Sequence, residues 1–101
     1  RDGDLGARRA EDAAEWFMRS ANSGYAYAMF NLGMLYKNGA LSNSSDIEAY
    51  RWLLLANTIN FDEKAKFQAN LLSQRMDQTS IMIARERAQI WVNEFFYGVS
   101  N

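Results

Sequence analysis

Asp46-Ile47-Glu48-Ala49-Tyr50-Arg51-Trp52-Leu53-Leu54-Leu55-Ala56-Asn57 is the stretch whose periodicity decides the fold. Ala49, Trp52, Leu53 and Ala56 stand at i, i+3, i+4 and i+7, on one side of an α-helix. Tyr50 and Leu54 widen that stripe, so the helix is expected to be covered on more than one side. Ser45 precedes it and Glu48 follows three residues later. At that spacing a hydroxyl and a carboxylate satisfy each other's free backbone N–H groups.

The helical period continues on both sides. About residues 8 to 22 read as a helix with Ala10, Ala13, Ala14, Phe17 and Ala21 inward, stopped by Asn22-Ser23-Gly24. Tyr25 to about Lys37 read as the next, stopped by Asn38-Gly39. Asn60 to about Arg75 read as a fourth, in which Asn60 and Glu63 repeat the capping-box spacing and Ala65, Ala69 and Leu72 share a side. Asp77 is placed to cap a fifth. There Ile81, Ala84, Ala88, Trp91, Val92 and Phe95 oppose Arg85, Glu86, Gln89 and Asn93, and Gly98 supplies the stop. Proline is absent and the six glycines are mostly isolated, which suits long helices and short turns. The predicted class is all-α, with about five helices in a single domain over residues 1–101.

An internal repeat organises these helices. A shift of 36 positions lays Gly3 on Gly39, Leu5 on Leu41, Ala13 on Ala49 and Trp16 on Trp52. A third Ala-x-x-Trp follows at Ala88 and Trp91, 39 residues beyond Trp52. A small residue one turn before an indole lets a neighbouring helix approach closely while the ring fills the gap beside it. Trp16 and Trp52 are therefore expected at the interfaces between consecutive units, as in an αα superhelix or solenoid. Gly33, inside a helix, costs about 1 kcal/mol relative to alanine, which points to a crossing too close for a Cβ. In this register Arg1-Asp2-Gly3 occupies the place of Lys37-Asn38-Gly39, the end of a helix. The segment is thus expected to be the C-terminal part of a longer array, with any signal or anchor upstream and the compartment open.

Composition removes whole classes of function. Eleven basic and 12 acidic residues give a net charge of -1, so there is no electrostatic case for nucleic acid. Without histidine or cysteine there is no Cys nucleophile, Ser/His triad, disulfide, or zinc site built on those ligands. The chain is expected to be non-enzymatic, with no metal and no cofactor. No run approaches the roughly 18 to 20 apolar residues of a membrane span, so no membrane insertion is expected in this segment.

Gly24-Tyr25-Ala26-Tyr27-Ala28-Met29-Phe30-Asn31-Leu32-Gly33-Met34-Leu35-Tyr36-Lys37-Asn38-Gly39, followed by Asp46-x-x-Ala49-x-x-Trp52-x-x-x-Ala56, resembles the Sel-one-like repeat, a relative of the tetratricopeptide repeat. The family pattern is G-x-A-x-A-x-x-x-L-G-x-x-Y-x-x-G, a loop, then D-x-x-x-A-x-x-W-x-x-x-A-A. Asp12, Ala13, Trp16, Ala21 and Gly24 resemble the second half of a preceding unit, and Phe61 to Trp91 the degenerate last pair that closes such arrays. The loop Ala40-Leu41-Ser42-Asn43-Ser44-Ser45 lacks the family's second glycine and its proline. Asn57 replaces the second alanine, and Asn60 stands where the family closes on glycine. The resemblance implies a right-handed superhelix of paired antiparallel helices, two and a half units ending with a capping helix, acting as a scaffold or adaptor for protein–protein interaction in bacterial envelope, secretion, signalling or host interaction systems or in eukaryotic protein quality control.

In such superhelices the first helix of each pair lines the inner curve. Tyr27, Asn31, Met34 and Asn38 lie at i, i+4, i+7 and i+11, off the packing positions, and are the candidate binding residues for another protein or peptide. The alternative is a glycan-binding or cell-wall accessory domain serving an upstream enzyme or secretion system, with Tyr27, Asn31 and the carboxylates as sugar contacts. The clusters Glu11-Asp12-Glu15 and Asp62-Glu63 read first as the acidic first turns of helices, and Asn43-Ser44-Ser45 as capping residues before it reads as a glycosylation acceptor. Arg8-Arg9 and Arg85-Glu86-Arg87 read as solvated faces, and Met18, Met29, Met34, Met76 and Met82 as core filler. Self-association through the first helix is expected, because that helix lacks a preceding partner.

Overall fold

The computed structural model describes residues 2–98, without the side chains of residues 2–5 and 7. Its elements are five helices: α1 (Asp2–Asn22), α2 (Ala26–Lys37), α3 (Asp46–Asn60), α4 (Glu63–Ser73) and α5 (Gln78–Tyr97). The all-α expectation holds for the described residues.

Local chemistry sets the breaks between helices. Gly24 ends α1 with φ +90° and Gly39 follows α2 with φ +72°, left-handed values that a Cβ disfavours. Both turns carry the same pair of hydrogen bonds. Tyr25 N donates to Ser20 O (3.1 Å) and Gly24 N to Ala21 O (2.9 Å); Ala40 N donates to Leu35 O (3.1 Å) and Gly39 N to Tyr36 O (3.2 Å). These are Schellman closures, which satisfy carbonyls that the helix end leaves free.

Two boundaries depart from the sequence reading. α1 begins at Asp2 rather than near residue 8, so Asp2 and Gly3 lie within a helix instead of ending one, while Arg1 is outside the described residues. The helical residues between Gly3 and Arg8 contain no proline to interrupt the ladder. The expected cap at Asn60 is also displaced: α3 runs through Asn60, and Asp62 caps α4 by accepting from Lys64 N (2.9 Å) and Ala65 N (3.3 Å). The left-handed residue of this turn is Phe61 (φ 52°), not Asn60. Asn57 closes the turn by donating from Nδ2 to Asp62 O (3.2 Å).

At α3, Ser45 Oγ accepts from Glu48 N (3.3 Å), one half of the expected box. The other half is diverted, because the Glu48 carboxylate takes Arg51 at 2.6 Å and Arg87 of α5 at 3.0 Å. Asp77 caps α5 through Ser80 N (2.7 Å), and Gly98 ends it at φ +64°.

α3 is the axis of the core and packs against α2, α4 and α5. Ala49, Trp52, Leu53, Leu55 and Ala56 are fully buried on it, so it is covered on more than one side as its sequence foretold. Gly33 brings α2 close: a Cβ there would lie 2.9 Å from Leu53 Cγ and 3.2 Å from Ala49 O. Ala65, Ala69 and Leu72 of α4 and Ala84, Ala88 and Trp91 of α5 complete the core.

The Ala-x-x-Trp motifs of α1 and α3 are packed differently. Trp52 is fully buried and meets Trp91 edge-on, with ring centroids 6.3 Å apart and planes at 71°. Trp16, its partner in sequence, is 69 % exposed, which overturns its expected place at an interface. Among the described residues α1 makes no extensive contact with α3 of the kind α3 makes with α5. No second helix therefore covers the Trp16 ring. Phe95 departs likewise: its ring stacks on Trp91 at 4.7 Å, yet it is 43 % exposed.

Candidate binding surface

α2 positions the candidate residues by dividing its circumference. Ala28, Met29, Leu32, Gly33 and Tyr36 are buried toward its neighbours, and that face is held by the close approach to α3. On the other side Tyr27 is 63 % exposed, Asn38 is exposed, and Asn31 and Met34 are half-buried. The four are not equivalent. Met34 packs against the core, Asn38 is the C-cap residue whose N–H donates to Met34 O at 2.9 Å, and Asn31 Nδ2 donates to Tyr27 O at 3.0 Å. That bond holds the Asn31 carboxamide against its own helix and leaves its oxygen as an acceptor.

Tyr25 adds what the sequence reading left out of this line. It is 59 % exposed, and its ring lies 5.9 Å from that of Tyr27 at 45°. The pair follows Gly24, whose position is roofed by Phe95: a Cβ on Gly24 would meet Phe95 Cζ at 2.7 Å. Phe96 and Tyr97 continue from Phe95, with Phe96 edge-on at 4.9 Å, and both are exposed. Exposed rings thus gather where the end of α5 meets the α1–α2 turn. The sequence signal was the run Phe95-Phe96-Tyr97, since three consecutive residues fan through about 200° of a helix and cannot all turn inward.

A groove of about 450 Å³ runs beside α1, lined by Glu11, Glu15 and Met18 of that helix and by Tyr36, Leu41 and Asn43 across from it. Glu11 Oε2 accepts from Ser42 N at 2.7 Å and ties α1 to the loop after α2. Tyr36 is 6 % exposed; burial raises the pKa of its phenol above the ordinary 10.0, the Glu48 charge adds to the rise, and Asn43 and Arg51 oppose it. The carboxylates of this groove do not join Tyr27 and Asn31, which line none of it.

A neighbouring groove of about 480 Å³, at the start of α3, has the protein's own cation in its wall. Arg75 lines it, holding both oxygens of Asp46 (2.8 and 3.2 Å) and Lys37 O (2.9 Å), and the Asp46 bond raises the guanidinium pKa further. Among the described residues no group of three or more acidic, histidine or cysteine side chains is arranged to hold a metal ion, and no helix is long and apolar enough to cross a membrane. Asp62 caps α4, as the reading of its cluster as an acidic first turn expected; Glu11, Asp12 and Glu15 lie in mid-α1 instead. Met29 is fully buried, Met18, Met34 and Met76 are partly buried, and Met82 is 67 % exposed and so is not core filler.

No family model, curated protein or solved structure matches this chain.

Proposed function

We propose that the chain is a non-enzymatic binding module of the Sel-one-like type, in which paired helices form part of a superhelix that presents the outward side of α2 to another protein or peptide. The observation that carries this reading is the contrast across α2. One face is locked into the core at Gly33, while Tyr25 and Tyr27 stand 59 % and 63 % exposed on the other. Rigid backing with exposed tyrosine suits recognition, because such a ring buries much area while giving up few rotatable bonds. Asn31 and Asn38 supply hydrogen-bonding groups beside the rings.

The test is selection of peptides from a displayed library against the protein, followed by affinity measurement against the Tyr27→Ala/Asn31→Ala double variant. Selected peptides are expected to lose about tenfold or more in affinity, as truncation of tyrosine at an interface centre does. Unchanged affinity for every selected peptide overturns the assignment to α2.

The paired rings support one further reading, a glycan-binding accessory domain, since a sugar ring stacks on exposed aromatic faces. Titration with peptidoglycan fragments followed by NMR decides between the two. Shifts confined to Tyr25, Tyr27 and Asn31 favour the glycan, and their absence ends that reading.

A further inference from the structure

We infer that the groove between α1 and the loop Leu41–Asn43 is a second binding site, which takes a lysine or arginine side chain of an extended peptide. This goes beyond the α2 reading and uses different residues. Tyr36 lies nine positions from Tyr27, half a turn around the helix, so the two surfaces face opposite ways.

The site is built in layers. Ala14, Met18 and Leu41 supply an apolar bed along which the methylenes of a long basic side chain can lie. Glu11 and Glu15, one helical turn apart on the same face, supply negative charge at one end. Glu11 is fixed before any ligand arrives, since Ser42 N holds its Oε2 at 2.7 Å and leaves Oε1 to accept from a cation. The donor is itself braced: Leu41 N donates to Ser44 Oγ (3.0 Å) and Ser44 N to Leu41 O (3.1 Å). Glu15 is exposed, and among the described residues it makes no ion pair, so its charge is available. Arg19, one turn further on, also lines the groove, and its guanidinium lies 5.9 Å from the centroid of the Trp16 ring, without an ion pair to Glu15.

Charge selects the occupant and length selects its form. Among the described residues Glu11 and Glu15 outnumber the one cation of the groove, Arg19, so its Glu11 end complements an ammonium or guanidinium on an aliphatic stem and repels an acidic side chain. From Glu11 to Asn22 the groove follows eleven residues of α1, about 16 Å at 1.5 Å per residue, which about five residues of extended chain match. Asn22 Oδ1 is taken by the Trp91 indole N–H at 2.9 Å, which leaves the Asn22 amide hydrogens to donate to an acceptor such as a peptide carbonyl. A free amine engages only the acidic end.

The experiment is binding of end-capped five-residue peptides, identical except for lysine, arginine, norleucine or glutamate at the centre, measured by calorimetry at low salt on the intact chain. N-acetyl-lysine amide serves as the small-molecule arm. Lysine and arginine peptides are expected to bind about tenfold or more tightly than norleucine, with glutamate weakest, and affinity falls as salt rises. Glu15→Gln is expected to weaken the lysine peptide several-fold, and Glu15→Lys to abolish binding. Both change an exposed side chain, and circular dichroism confirms folding. Tyr27→Ala/Asn31→Ala leaves this binding unchanged, which separates failure of this site from failure of the α2 reading. Equal binding of norleucine and lysine peptides, indifference to Glu15→Gln, or no binding at millimolar peptide overturns the proposal. Capped lysine binding as tightly as the peptide overturns its peptide part.

Discussion

Trp91 Nε1 donates to Asn22 Oδ1 at 2.9 Å, joining the last helix to the end of the first across 69 positions of sequence. Trp91 is 9 % exposed, so truncating Asn22 strands an indole N–H in a place with little water. Asn22→Ala is expected to cost about 1 to 2 kcal/mol, near the lower end because Asn22 itself is exposed. Urea denaturation of Asn22→Ala, Trp91→Phe and the double variant checks this: the two losses should be less than additive. Strict additivity means the bond contributes nothing.

Burial separates the two tryptophans that the repeat made equal. Trp52→Ala is expected to lose about 3 to 5 kcal/mol, whereas Trp16→Ala should stay within about 0.5 kcal/mol in the same denaturation experiment. A large loss at Trp16 means that a partner, such as a second copy of the chain, covers its ring in solution, and sedimentation then shows an oligomer.

Trp16 also marks how far the sequence could be read. Helical period and caps are local chemistry, so α2, α3 and α5 were legible from Gly39, Ser45, Asp77 and Gly98. Burial of an indole depends on which helix crosses it, and Ala-x-x-Trp is written identically at Ala13-Trp16 and Ala49-Trp52. Only the packing of α5 over Trp52 distinguishes them. The α3–α4 turn was misplaced for a similar reason: Asn60 and Glu63 match the capping-box spacing, but Asp62 offers a nearer carboxylate to Lys64 N and Ala65 N. At the candidate surface Tyr27 was legible as an outward position, while the α1 groove was not, because it forms only when Tyr36, Leu41 and Asn43 are brought opposite Glu11 and Met18.

Gly33→Ala tests the helix crossing. Alanine gains about 1 kcal/mol of helix propensity, yet its Cβ would lie 2.9 Å from Leu53 Cγ, 3.0 Å from Leu53 Cδ2 and 3.2 Å from Ala49 O. Leu53 is fully buried and cannot swing aside, and Ala49 O is backbone, so overpacking outweighs the gain and a net loss of about 1 to 2 kcal/mol is expected. Calorimetric melting checks the sign. Adding Leu53→Ala opens space, so the penalty of Gly33→Ala should shrink or reverse in that background.

Tyr36 carries the alkaline prediction. Its phenol is raised above 10.0 in the folded chain, first by burial and then by the Glu48 charge, whereas in the unfolded chain it returns to the ordinary value. The folded state therefore holds this proton more tightly. Its contribution is fully present below the unfolded value and is lost as pH rises through the folded one, so stability should decline above about pH 10. The other tyrosines ionise in the same range, which makes the comparison with Tyr36→Phe necessary. That variant keeps the buried ring but has no proton to lose, so its stability should fall less steeply between about pH 10 and 12 than that of the parent, as read by denaturant unfolding at each pH. Parallel declines would mean that Tyr36 ionises as readily in the folded chain as in the unfolded one, and that burial does not hold its proton.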